Sequence, residues 1–216
     1  MDFGAARKNM IESQLRTNRI VDGALIEVMG DVPRERFVPQ DLQAMAYVDE
    51  DLPVGGGRFL MEPVVFATLV QEAAIQPSDV VLDIASGTGY SVAVLARLAG
   101  TVFALESDAA LVAGAGNLYA EIAPDNVVPI EGPLGEGCAE HAPFDVIVIE
   151  GAVERLPEAI LDQLGEGGRL VTVVSENGVG RVTVVHKRGG HRSHRVVRDA
   201  NVPLLADFRR PSEFVF

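Results

Sequence analysis

Val80 to Ser91 reads V-V-L-D-I-A-S-G-T-G-Y-S, and no other stretch constrains the chain as much. A short apolar run, Val80 to Ile84, stops at a turn of small residues, Ala85-Ser86-Gly87-Thr88-Gly89, after which Val92, Leu95, Ala96 and Leu98 recur at helical spacing. The order is strand, tight turn, helix. Such a turn can bring bare backbone N–H groups up to a ligand where the helix starts, as open α/β sheets do with nucleotide-like molecules. Glycines also serve turns that bind nothing, so the neighbouring residues decide between the two.

They disfavour a dinucleotide, because the third glycine of that fingerprint is here Val92. What remains is a pair of acids. Asp83 lies near the end of the first strand, and Glu106 ends the next apolar run, Thr101 to Leu105. Glu106 is 17 residues beyond Gly89, close to the roughly 20-residue spacing at which a strand-end carboxylate reaches ribose hydroxyls, and its charge repels a 2′-phosphate. Together Asp83, Gly87, Gly89 and Glu106 resemble the cofactor site of S-adenosylmethionine (SAM)-dependent methyltransferases of the Rossmann-like fold. That resemblance implies that the first acid and the glycines hold the methionine end and the second acid holds the ribose.

The rest of the chain alternates. Residues 5–19 pattern as an amphipathic helix, Asp22 can cap a second that Gly30 stops, and residues 32–47 read as short helical pieces broken by proline. No strand pattern occurs before residue 54, so residues 1–50 are expected to form a helical annex. Residues 47–63, with Pro53, Pro63, the run Gly55-Gly56-Gly57 and four acids, read as a long functional loop ahead of a helix over 64–74. Strands at 126–130, 144–149 and 169–175 alternate with helices at 108–122 and 157–164, and a hairpin closes the chain at 179–197. The expected fold is α/β: a Rossmann-like class I SAM-dependent methyltransferase domain over residues 1–216. Its seven-stranded sheet would be mostly parallel, with an antiparallel C-terminal hairpin.

Composition narrows the function classes. With 18 basic and 31 acidic residues the net charge is 18 − 31 = −13, which disfavours a nucleic-acid partner. Six basic residues from Arg181 to Arg198, interleaved with His186, His191 and His194, read as the solvated face of the hairpin rather than as a metal or anion site. The chain has no apolar run of membrane-spanning length and no N-terminal leader pattern, so a cytoplasmic location is expected. The single Cys138 excludes an internal disulfide. Phe208, Phe214 and Phe216 are expected to pack on the sheet edge or on a partner, the sheet edge being preferred.

Taken over nearly its whole length, the chain resembles the protein-L-isoaspartate O-methyltransferases. The likeness is carried by Met10-Ile-Glu-Ser-Gln-Leu-Arg16, Val32-Pro-Arg-Glu-Arg-Phe-Val-Pro39, Ala46-Tyr-Val-Asp49, Leu52-Pro-Val-Gly55, the Asp83 to Tyr90 motif, Ala142-Pro-Phe-Asp145 and Leu164 to Val171. It implies methyl transfer from SAM, leaving S-adenosylhomocysteine, to the α-carboxylate of isoaspartyl residues in a protein or peptide substrate. It also implies a cofactor set of Leu60, Met61, Asp83, Ala85, Ser86, Gly87, Gly89, Glu106, Ser107, Gly132, Pro133 and Glu150, with Pro53, Gly57, Arg58 and Phe59 on the substrate side. No metal is implied. The acceptor is already an anion and the methyl already activated, so placement and water exclusion can supply most of the acceleration without a catalytic acid or base.

The chain departs from the family in the loop. Where the family reads roughly Gly-x-Gly-Gln-Thr-Ile-Ser-x-Pro, this sequence has Gly55-Gly-Gly57-Arg58-Phe59-Leu60-Met61-Glu62-Pro63, so Arg58 and Met61 are the loop candidates for a catalytic role. Gly132-Pro133-Leu134 replaces Gly-Asp-Gly, and Glu150 stands where a threonine is usual. Three readings follow. Arg58 takes over anion binding and isoaspartyl methylation persists; the scaffold methylates a more apolar carboxylate or peptide; or the chain binds SAM or its product without transferring a methyl.

Overall fold

The structure, a computed structural model, describes residues 1–122 and 125–210. Its N-terminal segment carries helical elements only: α1 (Phe3–Asn9) loosens through a π turn (Met10–Leu15) and tightens through a 3₁₀ turn (Arg16–Asn18), and a non-helical link over residues 19–22 leads to α2 (Gly23–Asp31). Asp22 caps α2 as expected, its carboxylate accepting the N–H of Leu25 at 3.0 Å. Two 3₁₀ turns, Arg34–Phe37 and Gln40–Met45, follow.

The segment read as a loop contains a hairpin. β1 (Leu52–Gly55) pairs antiparallel with β2 (Arg58–Leu60), and strand structure therefore begins two residues before the expected limit at 54. The glycine run makes the turn, with φ of 96°, 57° and 71° at Gly55, Gly56 and Gly57. In β2 Arg58 and Leu60 are buried and Phe59 faces outward. α3 (Pro63–Ala73) starts directly after it, and its first free N–H groups are satisfied from the hairpin's approach: Asp51 accepts from Glu62 N (2.9 Å) and Asp49 from Val64 N (3.0 Å).

The large sheet contains β3 (Val80–Ile84), β4 (Thr101–Glu106), β5 (Val127–Glu131), β6 (Phe144–Val153), β7 (Leu164–Glu176), β8 (Val179–Arg188) and β9 (His191–Asp199), in the order β5-β4-β3-β6-β7-β8-β9. β3 to β7 are parallel, and β8 runs against both its neighbours. α4 (Tyr90–Leu95), α5 (Ala109–Ile122) and α6 (Glu158–Asp162) lie in the β3–β4, β4–β5 and β6–β7 crossovers, and the β5–β6 crossover holds two 3₁₀ turns, Leu134–Glu136 and Ala139–His141.

Alternation along the strands sorts the core into two layers. Val81, Val146, Val148, Val171 and Val173 pack with α3, α4 and the N-terminal helices, whereas Leu82, Ile84, Ile147, Ile149 and Leu170 pack with α6 and Phe208. The N-terminal annex thus shares one continuous core with the sheet. Arg192 reaches Glu158 and Asp162, and Arg195 reaches Glu72, so part of the hairpin's basic run is ion-paired. Phe208 is buried, while Phe214 and Phe216 lie outside the described residues. Among the described residues no helix is long and apolar enough to cross a membrane.

Candidate functional site

The C-terminal ends of β3, β4 and β6 meet beneath the β1–β2 hairpin. At the turn after β3 the backbone takes left-handed values at Ala85 (φ 64°), Gly87 (56°) and Gly89 (92°). Gly89 is doubly restricted: a Cβ there would be strained by φ and would also collide with the ring of Tyr119 from α5. Thr88 ties the turn to the annex, its hydroxyl donating to Phe37 O at 2.6 Å.

Asp83 is fully buried. Its Oδ2 accepts from Ser91 Oγ at 2.6 Å, while Oδ1 has no hydrogen-bond partner among the described residues. Burial pushes this carboxyl up from the ordinary range; the Ser91 hydrogen bond opposes the shift and nearby Glu106 adds to it. Glu150 lies in the same layer of the core, for β3 and β6 pair Asp83 with Val148, and Glu150 is two residues further on. A bulge sets its place: β7 residues Val171 and Val173 pair with Val148 and Ala152, so Ile149, Glu150 and Gly151 all oppose Thr172. Glu150 Oε1 has no partner among the described residues, and its carboxyl is raised well above the usual range by burial first and by Asp83 second, with Arg34 opposing.

Arg34 is itself fully buried. Nε donates to Ala46 O (2.6 Å), Nη2 donates to Met61 O (2.5 Å), and the guanidinium lies 4.8 Å from the centroid of the Tyr90 ring. It joins the annex to the end of β2. The Val-Pro-Arg-Glu-Arg-Phe-Val-Pro run contained it, but its role was not legible because both its partners are backbone carbonyls that sequence does not mark.

Glu106 is saturated with donors. Its carboxylate accepts from the backbone N–H groups of Gly87 (3.0 Å), Ser107 (2.7 Å) and Asp108 (3.0 Å), and Arg58 closes on it through Nε (3.1 Å to each oxygen) and Nη2 (3.0 Å). Arg58 also donates to Ser107 Oγ at 2.8 Å and pairs with Asp207 at 3.5 Å. The expectation for Arg58 on the substrate side thus meets a different arrangement: the guanidinium covers the expected ribose carboxylate. Asp207 was missed, as were Tyr119 and the Val202–Leu205 run; only that run's apolar character was visible in the sequence.

The remaining expected residues divide. Phe59 and Met61 line two small cavities of about 10 Å³ each: one bordered by Leu60, Ala85, Ser86, Gly87 and Glu150, the other by Gly57, Glu150 and residues 202–205. Gly132 and Pro133 follow β5 beside Glu106, with Gly132 N bonded to Glu106 O at 3.1 Å. Pro53 is exposed in β1.

These groups fit an adenosyl cofactor by chemistry: a backbone cradle that a Cβ would fill, a buried acid with an open oxygen on one side of it, and a strand-end carboxylate on the other. Asp83, Gly87 and Gly89 would hold the methionine end and Glu106 the ribose, once Arg58 leaves Glu106. With the strand order above, this constellation defines a class I methyltransferase fold. A family model described as protein-L-isoaspartate(D-aspartate) O-methyltransferase matches residues 5–206. A protein-L-isoaspartate O-methyltransferase from Koribacter versatilis is 37% identical over 206 residues, 95% of this chain and 93% of its own. One from Methylorubrum populi is 38% identical over 191 residues, 87% of this chain and 88% of its own. A Plasmodium falciparum structure of the same family name, in complex with S-adenosyl-L-homocysteine, superposes with a TM-score of 0.81 at 21% identity, covering 93% of this chain and 98% of that one. The chain belongs to the protein-L-isoaspartate O-methyltransferase family.

Proposed function

We propose that this chain transfers the methyl group of SAM to the α-carboxylate of isoaspartyl residues in proteins, the reaction for which its relatives are named. The observation that carries the reading is the pairing of an unsatisfied buried acid, Asp83, with a strand-end acid, Glu106, across the glycine turn. SAM supplies an activated methyl; the chain's residues bind, orient and exclude water. Arg34 fixes the Met61 carbonyl, and with it the floor of the cleft, while Phe59 stands at the mouth where an apolar side chain keeps water from the acceptor. The acceptor carboxylate is ionised at neutral pH, so no general base is required of the chain.

Incubating an isoaspartyl peptide with methyl-labelled SAM should give a base-labile ester, and the matching aspartyl peptide should stay unlabelled. Label on neither peptide, beside measurable cofactor binding, would remove the reaction and keep the site. A second reading, a module that binds the cofactor without transfer, is favoured by Phe59 and Met61, which stand where the family's loop carries hydroxyl side chains. It predicts that second result.

A further inference from the structure

Glu150 sits one strand over from Asp83 in the same core layer, and the β6 bulge opposite Thr172 holds it there. It lines both small cavities that flank Phe59 and Met61. Each acid leaves one buried oxygen, Glu150 Oε1 and Asp83 Oδ1, with no hydrogen-bond partner among the described residues. The one cation that acts on Glu150 is Arg34, whose Nε and Nη2 donate to the carbonyls of Ala46 and Met61 and whose Nη1 has no partner among the described residues, so a single arginine faces the two acids. The cluster is short of positive charge. Buried acids with open oxygens select a ligand that brings a cation.

We infer that Glu150 acts with Asp83 as a second carboxylate for the cationic end of the methyl donor, so that the pocket discriminates the sulfonium donor from its neutral thioether product. This rests on the SAM reading above. Donor and product share the methionine ammonium and carboxylate, and only the donor carries the sulfonium charge. A carboxylate that senses the sulfonium therefore changes the ratio of the two affinities, whereas one that merely packs the pocket changes both together. Glu150 is then a specificity-determining residue that also favours product release.

Calorimetric titration of the full chain with S-adenosylmethionine and, separately, S-adenosylhomocysteine tests this in the unmodified protein and in Glu150→Gln and Glu150→Thr. Each variant should lose about tenfold in donor affinity and less than about twofold in product affinity. Equal losses for both ligands, or unchanged donor affinity, would overturn the inference. If thermal scans show that neither variant folds, Glu150→Asp replaces them: it keeps the charge and should keep the unmodified ratio, and a ratio fallen to unity would count against the role. An unmodified chain that binds neither ligand removes the SAM reading and this inference with it, a result distinct from binding with an unaltered ratio.

Discussion

Arg58 and Glu106, 48 positions apart in sequence, form a buried fork in which Nε and Nη2 of the arginine close on one carboxylate at 3.0–3.1 Å. The acid expected to hold a ribose thus already has a partner, supplied by the hairpin that covers the site. Opening that hairpin and freeing the acid are one event. A ligand that needs Glu106 must displace Arg58, and its apparent affinity is lowered by the free energy of that displacement.

Arg58→Gln should therefore act in opposite directions on binding and on stability. Titration with S-adenosylhomocysteine is expected to show affinity raised severalfold. Urea unfolding should show stability reduced by about 3 kcal/mol, because Glu106 keeps its backbone donors and loses its buried counter-charge. Unchanged affinity would mean that the fork does not compete with the cofactor.

Glu106→Gln separates the acid from its donors. The amide oxygen in the place of Oε1 still accepts from Ser107 and Asp108, the amide nitrogen in the place of Oε2 no longer accepts from Gly87, and the lost charge should lower S-adenosylhomocysteine affinity about tenfold. A calorimetric change below about twofold would argue against ribose recognition at this position.

Gly89→Ala meets two obstacles, the left-handed backbone at φ 92° and the Tyr119 ring. The backbone component alone is about 1–2 kcal/mol. Combining it with Tyr119→Ala should recover the steric part and leave the backbone part, a coupling that a double-mutant cycle in urea reads directly. Strict additivity would show that the ring yields freely.

Glu62 provides a pH signature. Burial first, then Asp49, Asp51 and Glu50, push its carboxyl up to about 7 from 4.5, with Arg198 opposing. Between those values the folded chain holds a proton that the unfolded chain has released, so this group makes stability fall as pH rises from about 4.5 to 7. Glu62→Gln should flatten that part of a Tm-versus-pH curve and raise Tm above pH 7. A variant with the unaltered slope would place the titration elsewhere.

Much of this fold is legible because buried parallel strands leave short apolar runs: Val80–Ile84, Thr101–Glu106 and Phe144 onward all stand out. The β1–β2 hairpin does not, since Pro53 and three glycines carry loop chemistry and the strands have only four and three residues. β6 continues past Ile149 through a glycine-containing bulge, where periodicity is interrupted. In the site, Asp83, the glycines and Glu106 follow from spacing, because strand, turn and helix fix their positions locally. The fork of Arg58 on Glu106 and the carbonyl bonds of Arg34 depend on contacts between distant segments, which composition and periodicity do not encode. Loss of the loop hydroxyls was visible; that Arg58 turns inward was not.

The central claim is that the glycine turn between Asp83 and Glu106 holds an adenosyl cofactor. The most direct measurement is calorimetric titration of the unmodified chain with S-adenosylhomocysteine, run beside Gly87→Trp, which fills the turn. Saturable one-to-one binding that the tryptophan abolishes is the predicted result. Binding that survives Gly87→Trp unchanged, or no binding to either protein, would contradict it.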